Sequence, residues 1–109
     1  MLFNVKHVSA DEVVLAVDGS LSGESASEFH RQMEELVAGS SKNITLDLSR
    51  TPTINSSAIG KIVLFRNKLN EQQRSFRIRG CTDSLYNTFL MTRLDTMISI
   101  KKESELTSD

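Results

Sequence analysis

The chemistry this chain can offer is concentrated between residues 53 and 60. There the sequence reads Thr53-Ile54-Asn55-Ser56-Ser57-Ala58-Ile59-Gly60, directly after a loop containing Pro52. Asn and Ser are helix-capping types, because a side-chain oxygen accepts from a first-turn amide. A well-capped helix start is therefore the simplest account of the segment. Two features point further. A second serine is redundant where one cap suffices. The following helix also carries Ser57, Gly60, Lys61, Leu64 and Lys68 beside a stripe in which Ile59, Ile62, Val63, Arg66 and Leu69 share one face, so a face that is small near the serines and apolar at Leu64 is offered to a docking partner. A hydroxyl at a helix start is also a sound place for a phosphoryl group. The modification adds about −1.5 to −2 charges next to unsatisfied amides and the positive dipole end, and it changes the charge of a docking surface without unfolding the helix.

Other chemistry is excluded by what is missing. His7 and His30 are read as having no Cys, His or carboxylate at ligand spacing, so no metal site is expected. No GxSxG elbow, GxxxxGK loop or GxGxxG turn occurs. The adjacent acids Glu34 and Glu35 point in different directions on a helix and read as a solvated face. Cys81 is the one cysteine, which rules out an internal disulfide, and it reads as a small buried apolar residue. Thirteen Lys/Arg against fourteen Asp/Glu give a net charge of −1, without the basic excess of a nucleic-acid binder. No apolar run reaches membrane-spanning length, and the first ten residues lack the pattern of a secretion signal; a cytoplasmic protein without cofactor is expected.

The elements that must position the serines follow from periodicity. The 109 residues suit one domain, 1–102, with a polar tail at 103–109. Leu2–Val8 and Val13–Val17 read as strands, with Asp18-Gly19 as a turn. Ala26, Phe29, Met33, Leu36 and Val37 recur at helical spacing, with Ser22 or Ser25 as cap and Gly39 expected in the left-handed conformation at the end. Ile44, Leu46 and Leu48 alternate as a strand that leads into the Pro52 loop and the Ser56 helix, which ends in the cluster Asn70–Arg74. Ser75–Arg79 reads as a strand ended by Gly80. Thr82 caps a helix with Leu85, Phe89 and Leu90 inward, and Met97, Ile98 and Ile100 form a last strand. The order β-β-α-β-α-β-α-β predicts an α/β fold. It is a small mixed sheet with helices packed on it, mostly parallel, with the first two strands able to pair antiparallel.

With these residues in hand, the chain resembles STAS domains, and more closely the bacterial anti-sigma factor antagonists. The resemblance rests on Asn43-Ile44-Thr45-Leu46-Asp47-Leu48-Ser49 followed by Ile54-Asn55-Ser56-Ser57-Ala58-Ile59-Gly60. It extends through Asp18-Gly19-Ser20-Leu21, Phe76-Arg77-Ile78-Arg79-Gly80 and Thr92-Arg93-Leu94-Asp95-Thr96-Met97-Ile98. The resemblance implies partner switching by a non-enzymatic binding module. A serine kinase of the histidine-kinase-like ATPase type, anti-sigma-factor-like, phosphorylates Ser56 (Ser57 being the minor candidate), and a phosphatase resets it. Partner contacts are implied at Asn55, Ser56, Ser57, Ala58, Gly60, Lys61, Leu64 and Ser22. Three positions depart from the family pattern: Asn55 replaces an acid, Ala58 replaces a glycine, and Ser22 stands where an acid is common. They set the chain on a divergent branch whose output extends to biofilm formation or other non-sigma control. A monomer or weak dimer is expected. Two other readings stand beside this one: a constitutive STAS subunit of a lipid-transport or stress-sensing assembly, without phosphate, and a small-ligand binder of nucleotides.

Overall fold

Alternating apolar residues on the strands and a three-to-four spacing on the helices leave every element with one face to bury. The computed structural model, which describes residues 2–103, buries them together. The tail read at 103–109 lies outside the described residues except for Glu103. The elements are β1 (Phe3–His7), β2 (Glu12–Asp18), α1 (Glu24–Ala38), β3 (Asn43–Arg50), α2 (Ser56–Glu71), β4 (Ser75–Cys81), α3 (Asp83–Met91), a 3₁₀ turn (Leu94–Thr96) and β5 (Ser99–Lys102). They form one sheet in the order β1-β2-β3-β4-β5. The β1–β2 pair is antiparallel, as their short connection allows, and the other pairs are parallel, joined through helices.

Side-chain alternation sorts the sheet into two faces. Val13, Leu15 and Val17 of β2 join Ile44, Leu46 and Leu48 of β3 and Ile78 of β4 in the core, beneath α1, α2 and α3. The opposite face carries Lys6, Glu12, Asp47, Arg77 and Arg79. Its charges are matched across strands, with Arg77 3.6 Å from Glu12 and Arg79 3.5 Å from Asp47. Arg77 Nε also donates to the buried Thr45 hydroxyl at 3.0 Å.

Phe65 joins the two long helices. It is fully buried on α2, meets Phe29 of α1 edge-on at 6.3 Å between ring centres, and has the His30 ring 5.1 Å away. The inward stripe of α2 is Ala58, Ile62, Phe65 and Leu69, while Ile59, Val63 and Arg66 lie half-buried along its margins. The sequence reading placed Arg66 in the stripe in place of Phe65. Arg66 instead edges the helix and donates from Nε to the Met97 carbonyl at 3.2 Å.

Several local expectations change. Gly39 is extended, with φ −78°, and not left-handed. The end of α1 is closed by other means: the Gly39 amide donates to Glu35 and Leu36, and the Arg74 guanidinium donates to the Leu36 and Val37 carbonyls at 2.9 and 2.8 Å. With those carbonyls satisfied, a left-handed cap is unnecessary. Neither Ser22 nor Ser25 caps α1; the cap position is Gly23, at φ 54°. Gly80 does not end β4 but lies within it at φ 79°, where a Cβ would come within 3.0 Å of Asp47 Oδ1 and Ser49 Cβ. Leu90 is exposed because it stands about 100° around the helix from buried Phe89. Met97 is exposed as well, since the 3₁₀ turn delays the last strand to Ser99. His30 does have a carboxylate at helical spacing: its Nε2 lies 2.7 Å from Glu34, one turn along. Among the described residues, however, no group of three His, Cys, Asp or Glu side chains is placed to hold a metal.

Cys81 is buried, as read from the sequence, and burial together with the nearby Asp47 charge pushes its thiol up to about 12. Unfolding returns the thiol to about 8.5. Over the interval between those values the folded chain holds a proton that the unfolded chain gives up. This contribution to stability is whole below about pH 8.5 and is lost as pH rises toward about 12. Urea midpoints followed from about pH 8 to 11 are expected to fall more steeply for the native chain than for Cys81→Ala. Phe65→Ala, which empties the contact between α1 and α2, is expected to cost about 3–5 kcal/mol in urea denaturation.

Candidate functional site

The Asn55–Ser56 rim is built by two loops that leave the sheet at the same end. After β2 the chain turns at Gly19, whose amide donates to the Arg50 carbonyl at 2.9 Å. Leu21, wholly buried, then pairs with Ile54 in an isolated parallel bridge. Its amide donates to Thr53 at 3.1 Å, and its carbonyl accepts from the Asn55 amide at 3.0 Å. Thr53 Oγ1 and Ser20 Oγ are hydrogen-bonded at 2.8 Å, and the buried Thr51 hydroxyl donates to the Val17 carbonyl at 3.0 Å. The loop after β3 is thus fixed to the loop after β2 before α2 begins.

Asn55 caps α2. It is extended at φ −91°, and its Oδ1 accepts from the Ala58 amide at 2.9 Å, while its carbonyl accepts the first helical bond from Ile59. The cap function is therefore met by Asn55, and the two serines that follow are not needed for it. Ser56 and Ser57 are both exposed. Their amides precede the first helical bond and have no carbonyl four residues earlier in the helix to accept from them. The first turn of α2 contains no acidic side chain, and its cap is neutral. An anion on Ser56 would meet the positive end of the helix without a competing carboxylate.

The structure brings most of the sequence-derived site residues together. Asn55, Ser56, Ser57 and Gly60 are exposed on one end of α2, Lys61 is half-buried one turn on, and Leu64 stands 41% exposed two turns on. Ser22 is exposed next to Leu21, the residue that bonds Asn55, so it shares the rim. Ala58 is the exception. It is fully buried in the core, because the helix turns it onto the sheet beside Ile62. Its methyl is a packing contact and does not lie on the exposed face of α2.

Ser20, Leu21, Ser25 and Thr53 hold the rim, a role that the sequence reading gave to none of them. Ser25 Oγ accepts from the Ser22 amide at 2.9 Å and lies 2.7 and 2.8 Å from the Ser20 and Ser22 carbonyls, a loop-closing role in place of a helix cap. One signal was available. Leu21 is a lone apolar residue in the run Gly19-Ser20-Leu21-Ser22-Gly23, and such a residue in a polar loop marks an anchor point.

An open five-stranded sheet with helices on one face, and with a capped, serine-bearing helix start at the ends of its parallel strands, defines a class of small α/β module. The family model described as Mlab, STAS domain matches residues 6–100. The chain belongs to the STAS domain family. No curated protein sequence matches it. Among solved structures, an anti-sigma factor antagonist from Mycobacterium paratuberculosis is 18% identical, with a TM-score of 0.83 over 97% of this chain and 91% of that one. The Bacillus cell fate determinant SpoIIAA in its phosphorylated form is 16% identical, with a TM-score of 0.73 over 97% and 96% of the two chains. The STAS domain of a SulP transporter from Vibrio cholerae is 14% identical, with a TM-score of 0.70 over 94% and 86%. At these identities the likeness is one of fold. It spans regulatory proteins and transporter domains alike, and no helix among the described residues is long and apolar enough to cross a membrane.

If Asn55 caps α2 through Oδ1, removing that oxygen strands the Ala58 amide. Asn55→Ala is expected to lower stability by about 1 kcal/mol, read as a shifted urea midpoint, while Asn55→Asp retains the cap.

Proposed function

We propose that this chain is a partner-switching regulator, a protein-binding module whose docking rim is gated by reversible phosphorylation of Ser56. One observation carries the reading. Ser56 is exposed at the first position of α2, while the neighbouring Asn55 already supplies the cap. The hydroxyl is thus free of a structural duty and open to a kinase. In this reading the unmodified rim, Ser22, Asn55, Ser56, Ser57 and Gly60, docks a partner closely, with Lys61 and Leu64 extending the contact along α2. A phosphoryl group on Ser56 is held by the helix end and places about two negative charges in that contact, which repels an acidic or tightly packed partner surface. The kinase is of the histidine-kinase-like ATPase type, a dedicated phosphatase reverses the step, and the module itself catalyses nothing. The cycle runs in the cytoplasm. A Bacillus relative of the same fold solved in a phosphorylated form supports this reading.

Asn55 favours one other reading. The family pattern has an acid there, and the matching family model carries the description Mlab, STAS domain. A constitutive subunit of a larger assembly would use the same rim without phosphate.

The two readings separate experimentally. For the switch, protein from its native cell carries phosphate on Ser56 by mass spectrometry. Ser56→Ala retains its partner in a pull-down, and Ser56→Asp binds it about a hundredfold less tightly, the equivalent of roughly 3 kcal/mol. A stable stoichiometric complex without phosphate, equally retained by Ser56→Asp, would establish the subunit reading instead.

A further inference from the structure

The sheet ends in two edges of different character. The β5 edge is only four residues long, and two of them are Lys101 and Lys102. Lys102 also lies 3.8 Å from Asp83 and 5.1 Å from the centre of the Tyr86 ring. A short edge rich in lysine discourages pairing. The β1 edge is different: five residues, no proline, one lysine, and no shift in its register with β2.

Hydrogen-bond phase shows which backbone groups that edge presents. The Asp18 amide donates to the Leu2 carbonyl at 2.7 Å, and the Val8 amide donates to Glu12 at 2.9 Å. In an antiparallel pair the bonded residues alternate, so Asn4 and Lys6 also bond toward β2. Phe3, Val5 and His7 therefore turn their amides and carbonyls outward. The side chain of Phe3 is buried in the core, and those of Val5 and His7 follow it onto the helix side of the sheet. There Val5, 37% exposed, helps to line a hollow of about 560 Å³ with Gln32, Glu35 and Leu36 of α1.

We infer that β1 pairs with β1 of a second copy of this chain, antiparallel across a two-fold axis at Val5, so that two sheets continue into one. Self-complementarity and charge select this partner and this register. Centred on Val5, the outward residues pair Phe3 with the second copy's His7, Val5 with Val5, and His7 with Phe3, for about six backbone hydrogen bonds. Lys6 then faces Asn4. A register centred on Lys6 opposes two lysines and loses about two of those bonds; one centred on Asn4 loses as many. The Val5 registration also sets two half-exposed valines together at the mouths of the two hollows, removing apolar surface from water. Ser56 follows the central strand β3, two strands in from β1, so the rim lies off this edge in both copies. Five residues a side form a small interface, so the dimer is weak, with a dissociation constant on the order of 100 µM.

Sedimentation of the full chain across a concentration series from about 10 µM to 2 mM tests the pairing. A concentration-dependent dimer is expected, weakened at least about tenfold in Val5→Lys, which opposes charges on the axis, and in Val5→Pro, which removes an outward amide while leaving the β1–β2 bonds in place. Thermal melts confirm that each variant is folded. Mild oxidation provides a second readout. Val5→Cys is expected to cross-link in good yield, since a hydrogen-bonded antiparallel pair sets its Cα atoms about 5.5 Å apart, within disulfide reach. Val8→Cys, exposed beyond the end of the strand, serves as the comparison. A chain that stays monomeric throughout the series overturns the proposal. So does a dimer indifferent to both Val5 variants, or equal cross-linking of the two cysteine variants.

Discussion

Burial of β3 between two parallel neighbours is the constraint on which the other features rest. Ile44, Leu46 and Leu48 are wholly excluded from water, and β2 and β4 bond the strand on either side. A strand held on both edges and on its inner face cannot slip its register without turning three core side chains to solvent. That fixes where β3 ends, and the end of β3 fixes where the loop to α2 begins. Leu21 then sets the last step by bonding Asn55 from the neighbouring loop. The exposed Ser56 hydroxyl is therefore positioned by a chain of buried contacts, although it touches none of them.

Helix α2 meets two demands with different faces. Ala58, Ile62, Phe65 and Leu69 seal the sheet, and Phe65 also receives α1 through Phe29. Ser57, Gly60 and Leu64 look outward. Because the inward stripe is continuous from the first turn to the last, the outward residues at the N-terminal end can change chemistry with little effect on packing. A phosphoryl group placed there would change the charge of the exposed end while the helix stays seated. The uncharged Asn55 cap fits the same logic, since it satisfies an amide without adding a charge to the rim.

The architecture was legible because strand and helix periods are strong signals and the chain is short. The order of elements along the chain, an antiparallel first pair, the burial of Cys81 and the position of Ser56 at the start of α2 all follow from pattern and turn chemistry. The misreadings arose where tertiary contacts overrule local preference. Arg66 and Phe65 are adjacent, and helical spacing alone does not decide which faces α1; the Phe29 ring does. Gly39 has the residue type of a left-handed cap, but Arg74, distant in sequence, supplies the bonds that such a cap would make. Gly80 was read as a strand end because glycine usually breaks a strand, whereas the side chains of Asp47 and Ser49 leave no room there for anything larger. Ala58 entered the partner contacts through the family resemblance alone, whereas helical spacing turns it inward, one position from exposed Ser57. The loop residues that build the rim pair across 33 positions of sequence, Ser20 with Thr53, and no local pattern announces that pairing.

Arg74 gives the molecule an unequal build from pole to pole. Its guanidinium reaches the carbonyls of Leu36, Val37 and Ser41, tying the end of α1, the approach to β3 and the entry to β4 into a single knot. Burial there pulls it below the ordinary arginine range. The knot sits at the pole away from Ser56. The serine pole thus stands at the far end of a body clamped behind it, and the two ends of the molecule are held by separate sets of bonds.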